Sequence, residues 1–200
     1  MTKILTLVFA MLMLNQGAFA GNSNGLRGVR NVKTVMNGVL YRGGGGGGKN
    51  PLTQDALMSL CEAGFSLAIY LYPDGFVPKT VHCTTLDGKA NKLDYVQRGF
   101  RGESDRKVVM NEIYDIIENN KGPAFVHCWN GSHASGEIAA IALMQFCGLN
   151  GEQAGDYWAR NIHDQSNLKN YGSIYRKHIP AFHPFSSMSI SGDTKAQICR

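Results

Sequence analysis

Val126-His127-Cys128-Trp129-Asn130-Gly131-Ser132-His133-Ala134-Ser135-Gly136 is the stretch around which the chain organises. Ala124 to His127 is short and apolar, the composition of a buried strand. Glu137 to Phe146 is apolar on most sides, which describes a buried helix. The residues between them, Cys128 to Ser135, are mostly small and polar and read as a loop. A cysteine therefore stands between a strand end and a helix N-terminus. The first N–H groups of a helix lack intrahelical acceptors, and together with the helix dipole they favour an anion. A thiolate in such a place is stabilised. Gly131 permits a tight turn in which successive N–H groups converge as a nest, and the same nest suits phosphate. A nucleophile at the floor of an anion cradle is arranged to attack phosphorus.

Outward from this loop, strands and helices alternate. Val39-Leu40-Tyr41 begins ordered structure as a short strand, followed by six glycines, Gly43 to Gly48. The glycine run reads as a mobile loop, since glycine has the most backbone entropy to lose. A phosphate-cradling role for it is weak, because no helix start with Lys-Ser/Thr follows. Asn50-Pro51 starts a helix that runs to Ala63 and stops at Gly64. Phe65 to Tyr72 is a buried strand, and Pro73-Asp74-Gly75 a turn. Val81 to Leu86 and Leu93 to Val96 are strands separated by Asp87-Gly88. Ser104 caps a helix over 105–119, where Val109, Ile113, Ile116 and Ile117 share a face. Asn150 and Gln153 form a capping box for a helix through Trp158, and a last helix spans 165–177. This alternation predicts an α/β fold with a central mixed, partly parallel sheet flanked by helices. Ligands of such sheets sit beyond the carboxyl ends of the strands, where the Cys128 loop falls.

The N-terminus has its own logic. Met1-Thr2-Lys3 is a positive start, Ile4 to Leu14 an apolar run broken only by Thr6, and Ala18-Phe19-Ala20 a small-x-small cleavage site. That order is a secretory signal peptide over 1–20. The apolar run of about 11 residues is too short to span a bilayer. A periplasmic or secreted location follows, without stable membrane insertion after cleavage. Residues 21–32 read as a polar leader arm, 33–180 as one domain, and 181–200 as an irregular tail. Removing the signal leaves 180 of the 200 residues, and the formal charge of +5 falls to +4 with the loss of Lys3. The basic residues are spread out, so nucleic acid is not an expected partner. With 44% hydrophobic and 18% charged residues the chain is not of a disordered type. Five cysteines in an oxidising compartment leave at least one unpaired. The loop singles out Cys128 as that one, with Cys61, Cys83, Cys147 and Cys199 left for disulfides in any of three pairings.

The loop resembles the active-site loop of the cysteine-dependent tyrosine and dual-specificity phosphatases, His-Cys-x-x-Gly-x-x-Arg-Ser/Thr. His127, Cys128, Gly131 and Ser135 match, and Gly136 fits the atypical dual-specificity subgroup, where His133 stands in place of a frequent aspartate. Asn37-Gly38-Val39-Leu40-Tyr41-Arg42-Gly43 is similar to that subgroup's Gly-x-Leu-Tyr-Arg-Ser/Gly strand. The likeness runs over about residues 31–160. It implies a phosphatase-like sheet, with Cys128 as nucleophile, Ser135 helping to expel the thiolate, and His127 orienting the loop. The backbone from Trp129 through Asn130, Gly131, Ser132 and His133 to Ala134 would hold the phosphoryl group. It implies a phosphorylated protein or small phosphoester as partner and no cofactor or metal.

One departure is decisive. Ala134 occupies the arginine position. A guanidinium forks onto two phosphoryl oxygens, and an arginine serving phosphoryl transfer in GTPases is worth ~10³–10⁵ in rate. Arg98, Arg101 and Arg160 are the alternative sources of a guanidinium from elsewhere in the chain. A general acid is also wanting: Glu103 and Asp105 follow the relevant strand without a convincing placement, and Asp74 suits a turn. The resulting expectation is a phosphatase-like binding protein impaired in catalysis, with an active phosphatase as the alternative. A metal-binding arrangement of His82, Cys83, His127, Cys128 and His133 matches no standard zinc spacing.

Overall fold

The computed structural model describes residues 25–73, 75–163 and 168–199. The expected signal segment, residues 21–24 of the leader arm, Asp74, residues 164–167 and Arg200 lie outside them. A six-stranded sheet in the order β1-β2-β6-β3-β5-β4 forms the centre. Its strands are β1 (Val29–Met36), β2 (Leu40–Gly45), β3 (Leu67–Tyr70), β4 (Lys79–Thr84), β5 (Ala90–Gln97) and β6 (Ala124–Cys128). The pairs β2–β6, β6–β3 and β3–β5 are parallel, while β1–β2 and β4–β5 are antiparallel at the edges. The sheet is therefore mixed and partly parallel, with β6 between two parallel neighbours.

Helices cover both faces. One face packs against α1 (Gln54–Glu62), with Leu57, Leu60, Phe65, Tyr70, Tyr95 and Phe125 in its core. The other is covered by α2 (Glu103–Glu118), α3 (Ala134–Ala142), α4 (Gly151–Arg160), α5 (Leu168–His178) and α6 (Gly192–Ile198). Alternation along β6 sends Phe125 to the first core and Ala124, Val126 and Cys128 to the second. All five β6 residues are buried, as befits a strand covered on both faces.

Several sequence expectations are corrected. The glycine run is not a loop throughout: Gly43, Gly44 and Gly45 finish β2, with Gly43 opposite His127 and Gly44 opposite Cys128. A strand partner supplies the order that glycine's own entropy opposes. The leader arm ends earlier than expected, because Val29 already starts β1, and Leu26, Val29 and Val32 pack on the α1-side core. The tail is not irregular throughout. It contains α6, capped by Ser191, whose hydroxyl accepts the Thr194 N–H at 3.1 Å. A Cys147–Cys199 disulfide and an Asn37 N–H to Ile198 carbonyl bond of 2.8 Å hold it to the domain. The first helix begins at Gln54, after Thr53 rather than Asn50, because the Thr53 hydroxyl accepts the Ala56 N–H. The cap of α2 is Gly102, not Ser104. The helix after the loop starts at Ala134 and ends in a π-turn, Leu143–Cys147. The Asn150–Gln153 capping box forms as read.

Candidate active site

Cys128 is the last residue of β6, 2% exposed, on the α3 side of the sheet. Its Sγ lies 3.2 Å from Ser135 Oγ in the first turn of α3, and Ser135 Oγ also donates to the Gly43 carbonyl at 3.3 Å. A hydroxyl has one proton. With a thiol, Cys128 can donate to Oγ; with a thiolate, the Ser135 proton can turn from Gly43 to the sulfur. Cys61 pairs with Cys83 and Cys147 with Cys199, leaving Cys128 as the free thiol of the five. Of the three pairings open to the sequence, this is the one formed.

The loop is held from outside by its carbonyls. Arg30 Nη2 donates to the Trp129 carbonyl at 3.2 Å and to Asn130 Oδ1 at 2.9 Å. Asn31 Nδ2 donates to the Asn130 carbonyl at 2.8 Å, Arg42 Nη1 to the Gly131 carbonyl, and Trp158 Nε1 to the His133 carbonyl at 3.3 Å. A trans peptide points its N–H opposite to its C=O. These four held carbonyls turn the N–H groups of Asn130, Gly131, Ser132 and Ala134 away from the side chains that bind them. Gly131 makes the reversal at a φ of +73°. Asn31, at a φ of +51°, sits in a β1 register shift that aims its amide at the loop. Arg42, only 1% exposed, spans from the Gly131 carbonyl to the Asn161 carbonyl at 2.7 Å, at the C-terminal end of α4. The negative end of that helix suits the buried cation.

The glycine run is the floor beneath the loop. A Cβ on Gly44 would stand 2.5 Å from the Trp129 carbonyl oxygen, and one on Gly131 2.6 Å from the Gly43 carbonyl carbon.

The other expected site residues are placed as follows. His127 faces the opposite side of the sheet from Cys128. Its ring stacks on Tyr70 at 4.9 Å between centroids, and its Nε2 meets the Tyr95 hydroxyl at 2.8 Å. Burial pushes its pKa down to about 3, against a backbone hydrogen bond to Cys128, so the ring is neutral. Tyr95 accepts the Leu52 N–H at 2.8 Å and can keep its own proton for Nε2. Trp129 is 44% exposed at the rim. Ser132 Oγ turns outward to accept the His163 N–H at 3.0 Å. The His133 ring lies among Tyr171, Tyr175 and Trp158, its centroid 4.4 Å from that of Tyr171. Ala134 is buried at the start of α3.

Of the alternative guanidinium sources, Arg98 is tied to Glu112 and to the Gln97 carbonyl. Arg101 lies over the Phe100 ring at 5.5 Å and within the field of Glu137 and Tyr175. Arg160 is exposed in the last turn of α4. Of the acids, Asp105 caps α2 by accepting the Gly102 N–H at 3.4 Å, Glu103 is exposed, and Asp74 lies outside the described residues. The metal-ligand grouping is split, since Cys83 is in a disulfide and His127 and Cys128 face opposite sides.

Further residues at the site escaped the sequence reading. Tyr72 lies within the field of Cys128; burial first, then the Cys128 charge and Tyr70, push its pKa up, while a backbone bond from Trp129 pulls it down. Tyr175, on α5, is shifted up by burial, then by Glu137 and Cys128. Glu137 is buried and ion-paired to Arg106 at 2.6 Å; burial raises its pKa and the arginine only partly offsets it. Tyr72 and Tyr175 come from strand and helix ends far apart in the chain, so no local motif joins them to Cys128. A cleft of about 620 Å³ lies elsewhere, between α2 and the β4–β5 hairpin. Most of its charges pair internally, as Lys92–Asp94, Arg98–Glu112 and Lys121–Asp115, with Lys79 also on its wall.

Fold and site together define an α/β protein with a free thiol at the carboxyl end of a central parallel strand, beside a loop whose carbonyls are held by side chains of β1, β2 and α4. No family model matches the chain, and no curated protein matches it. Among solved structures it is similar to Tk-PTP in its active form, at 17% identity over 75% of this chain and 96% of that one, with a TM-score of 0.49. It is also similar to the core catalytic domain of the PP-IP phosphatase SIW14 from S. cerevisiae, in complex with citrate. There the identity is 13% over 77% and 86% of the two chains, and the TM-score 0.46. The protein tyrosine phosphatase TcPTP1 of Trypanosoma cruzi is a third, at 12% over 80% and 68%, with a TM-score of 0.33.

Proposed function

We propose that this chain is an exported, phosphatase-like protein that binds a phosphoryl group in the loop from Cys128 to Ser135. The group belongs to a phosphorylated protein or a small phosphoester. Turnover through Cys128 is impaired because Ala134 stands at the arginine position. The observation that carries the reading is the set of held carbonyls, which turns the loop N–H groups away from the side chains that bind them, beside a free thiol. The leader sequence and two disulfides support export to an oxidising compartment. No helix among the described residues is long and apolar enough to cross a membrane.

In the reaction the loop is suited to, Cys128 Sγ attacks phosphorus and the bond to the leaving oxygen breaks. The leaving oxygen takes a proton from solvent; water then attacks phosphorus, gives up a proton to solvent and displaces the sulfur as a thiolate, to which the Ser135 hydroxyl can donate. A backbone cradle binds the ground state, but without a forked cation the transition state gains less than in the resembling family.

The test is hydrolysis of an aryl phosphate by the wild type, Cys128→Ser and Ala134→Arg. Low turnover in the wild type and a gain in Ala134→Arg are expected. Robust wild-type turnover that depends on Cys128 would overturn the impaired reading in favour of an active phosphatase working through a phosphocysteine.

A further inference from the structure

The glycine run does more than floor the loop, because it ends at Lys49. The Tyr70 hydroxyl donates to the Lys49 carbonyl at 2.8 Å, and Tyr70 is fully buried in β3, so the backbone of Lys49 is anchored to the sheet. The Lys49 ammonium lies over the Tyr72 ring, 5.8 Å from its centroid. That same tyrosine lies within the field of the Cys128 sulfur. Ammonium and thiol therefore flank one tyrosine. Gly48 borders the rim residue Trp129: a Cβ on it would lie 3.7 Å from the indole Nε1.

No ion pair among the described residues engages Lys49, and its side chain is exposed. Arg101, an alternative guanidinium source, stands in the field of the Glu137 carboxylate. Lysine is a compact point charge on a flexible stem, able to reach an oxyanion without the fixed geometry that a guanidinium fork demands.

We propose that Lys49 binds a phosphoryl oxygen of the ligand held over Cys128, providing the positive charge that alanine at position 134 lacks. The site then takes phosphate monoesters through backbone N–H groups and one ammonium. The proposal rests on the reading of the Cys128 loop as a phosphoryl cradle.

The test is a phosphorus NMR titration of inorganic phosphate with the folded wild type, Lys49→Ala, Lys49→Arg, Arg101→Ala and Lys89→Ala. Lys89 pairs with Asp87 at the β4–β5 turn and serves as the charge control. Lys49→Ala should weaken phosphate binding about fivefold, the scale of one exposed ion pair, with thermal stability unchanged. Lys49→Arg should hold within about twofold, and Lys89→Ala and Arg101→Ala should match the wild type. Equal binding by the wild type and Lys49→Ala overturns the role of Lys49 and leaves the cradle standing, as does a loss confined to Arg101→Ala. Absence of phosphate binding by the wild type overturns the cradle itself and Lys49 with it.

Discussion

Gly44 runs so close beneath the Cys128 loop that a Cβ placed on it would stand 2.5 Å from the carbonyl oxygen of Trp129. The same methyl would meet the Asn130 carbonyl carbon and the Gly131 nitrogen, each at 2.8 Å. These are backbone atoms, which cannot rotate aside as a side chain can.

Gly44→Ala should therefore destabilise the fold by about 2–3 kcal/mol through overpacking and displace the loop. Gly47→Ala is the contrast, since its Cβ would have only Asn50 Nδ2 nearby, at 3.9 Å. It should be neutral or slightly stabilising. Chemical denaturation of both variants checks the pair; equal stabilities would show that the run is not a packed floor.

Arg42 bridges the loop to the end of α4 through two carbonyls while almost fully buried. Arg42→Lys keeps the charge but not the fork, so one of the two carbonyls loses its donor. A loss of about 2 kcal/mol in unfolding free energy is expected. Faster alkylation of Cys128 should accompany it, because the Gly131 peptide is freed. An unchanged alkylation rate would remove Arg42 from the set that holds the loop.

His127 links stability to pH. Its folded pKa is about 3, below the ordinary value of 6.5. Between these values the unfolded chain binds the extra proton, so stability is fully present above about pH 6.5 and falls as the pH drops toward 3. His127→Gln should flatten this part of the stability curve while lowering its plateau. Thermal melts from pH 7 to pH 4 measure the slope, and an equally steep fall in the variant would assign it to other groups.

The disulfides predict a labelling pattern. Unfolded but unreduced protein should take one alkyl group, on Cys128, by mass spectrometry. Removing the Cys147–Cys199 bridge, which spans 52 residues, should lower stability by about 4 kcal/mol. Label on any other cysteine in the unreduced protein would contradict the pairing.

Much of the molecule is legible in the residues themselves. The apolar run Ala124 to His127, the small polar loop and the apolar helix after it are each dictated by local composition, and they form in that order. The parity of five cysteines, with the loop context of Cys128, correctly isolates the free thiol. The strand β1 was not legible, because Gly28 and Asn31 adopt positive φ and the bulge breaks the period-two pattern. The strand character of Gly43 to Gly45 was hidden for a different reason: glycine has no side chain to show a period, and only pairing with β6 orders it. Residues 181–190 carry Phe182, Phe185 and Met188 three residues apart, but Pro184 interrupts the run and no helix forms there. Their contacts with the core are met only in three dimensions.

The sequence by itself determined the nucleophile-like cysteine, the turn at Gly131 and the alanine at position 134, because these are properties of neighbouring residues. The tertiary structure alone decided which way the loop peptides face. Their orientation is set by Arg30, Asn31, Arg42 and Trp158, donors brought from distant strands and helices. The tertiary structure also turned His127 away from Cys128, since neighbours on a strand point to opposite faces of the sheet. Side-chain direction, hydrogen-bond pairing and close backbone approach depend on what lies across the fold, and no local pattern carries that information.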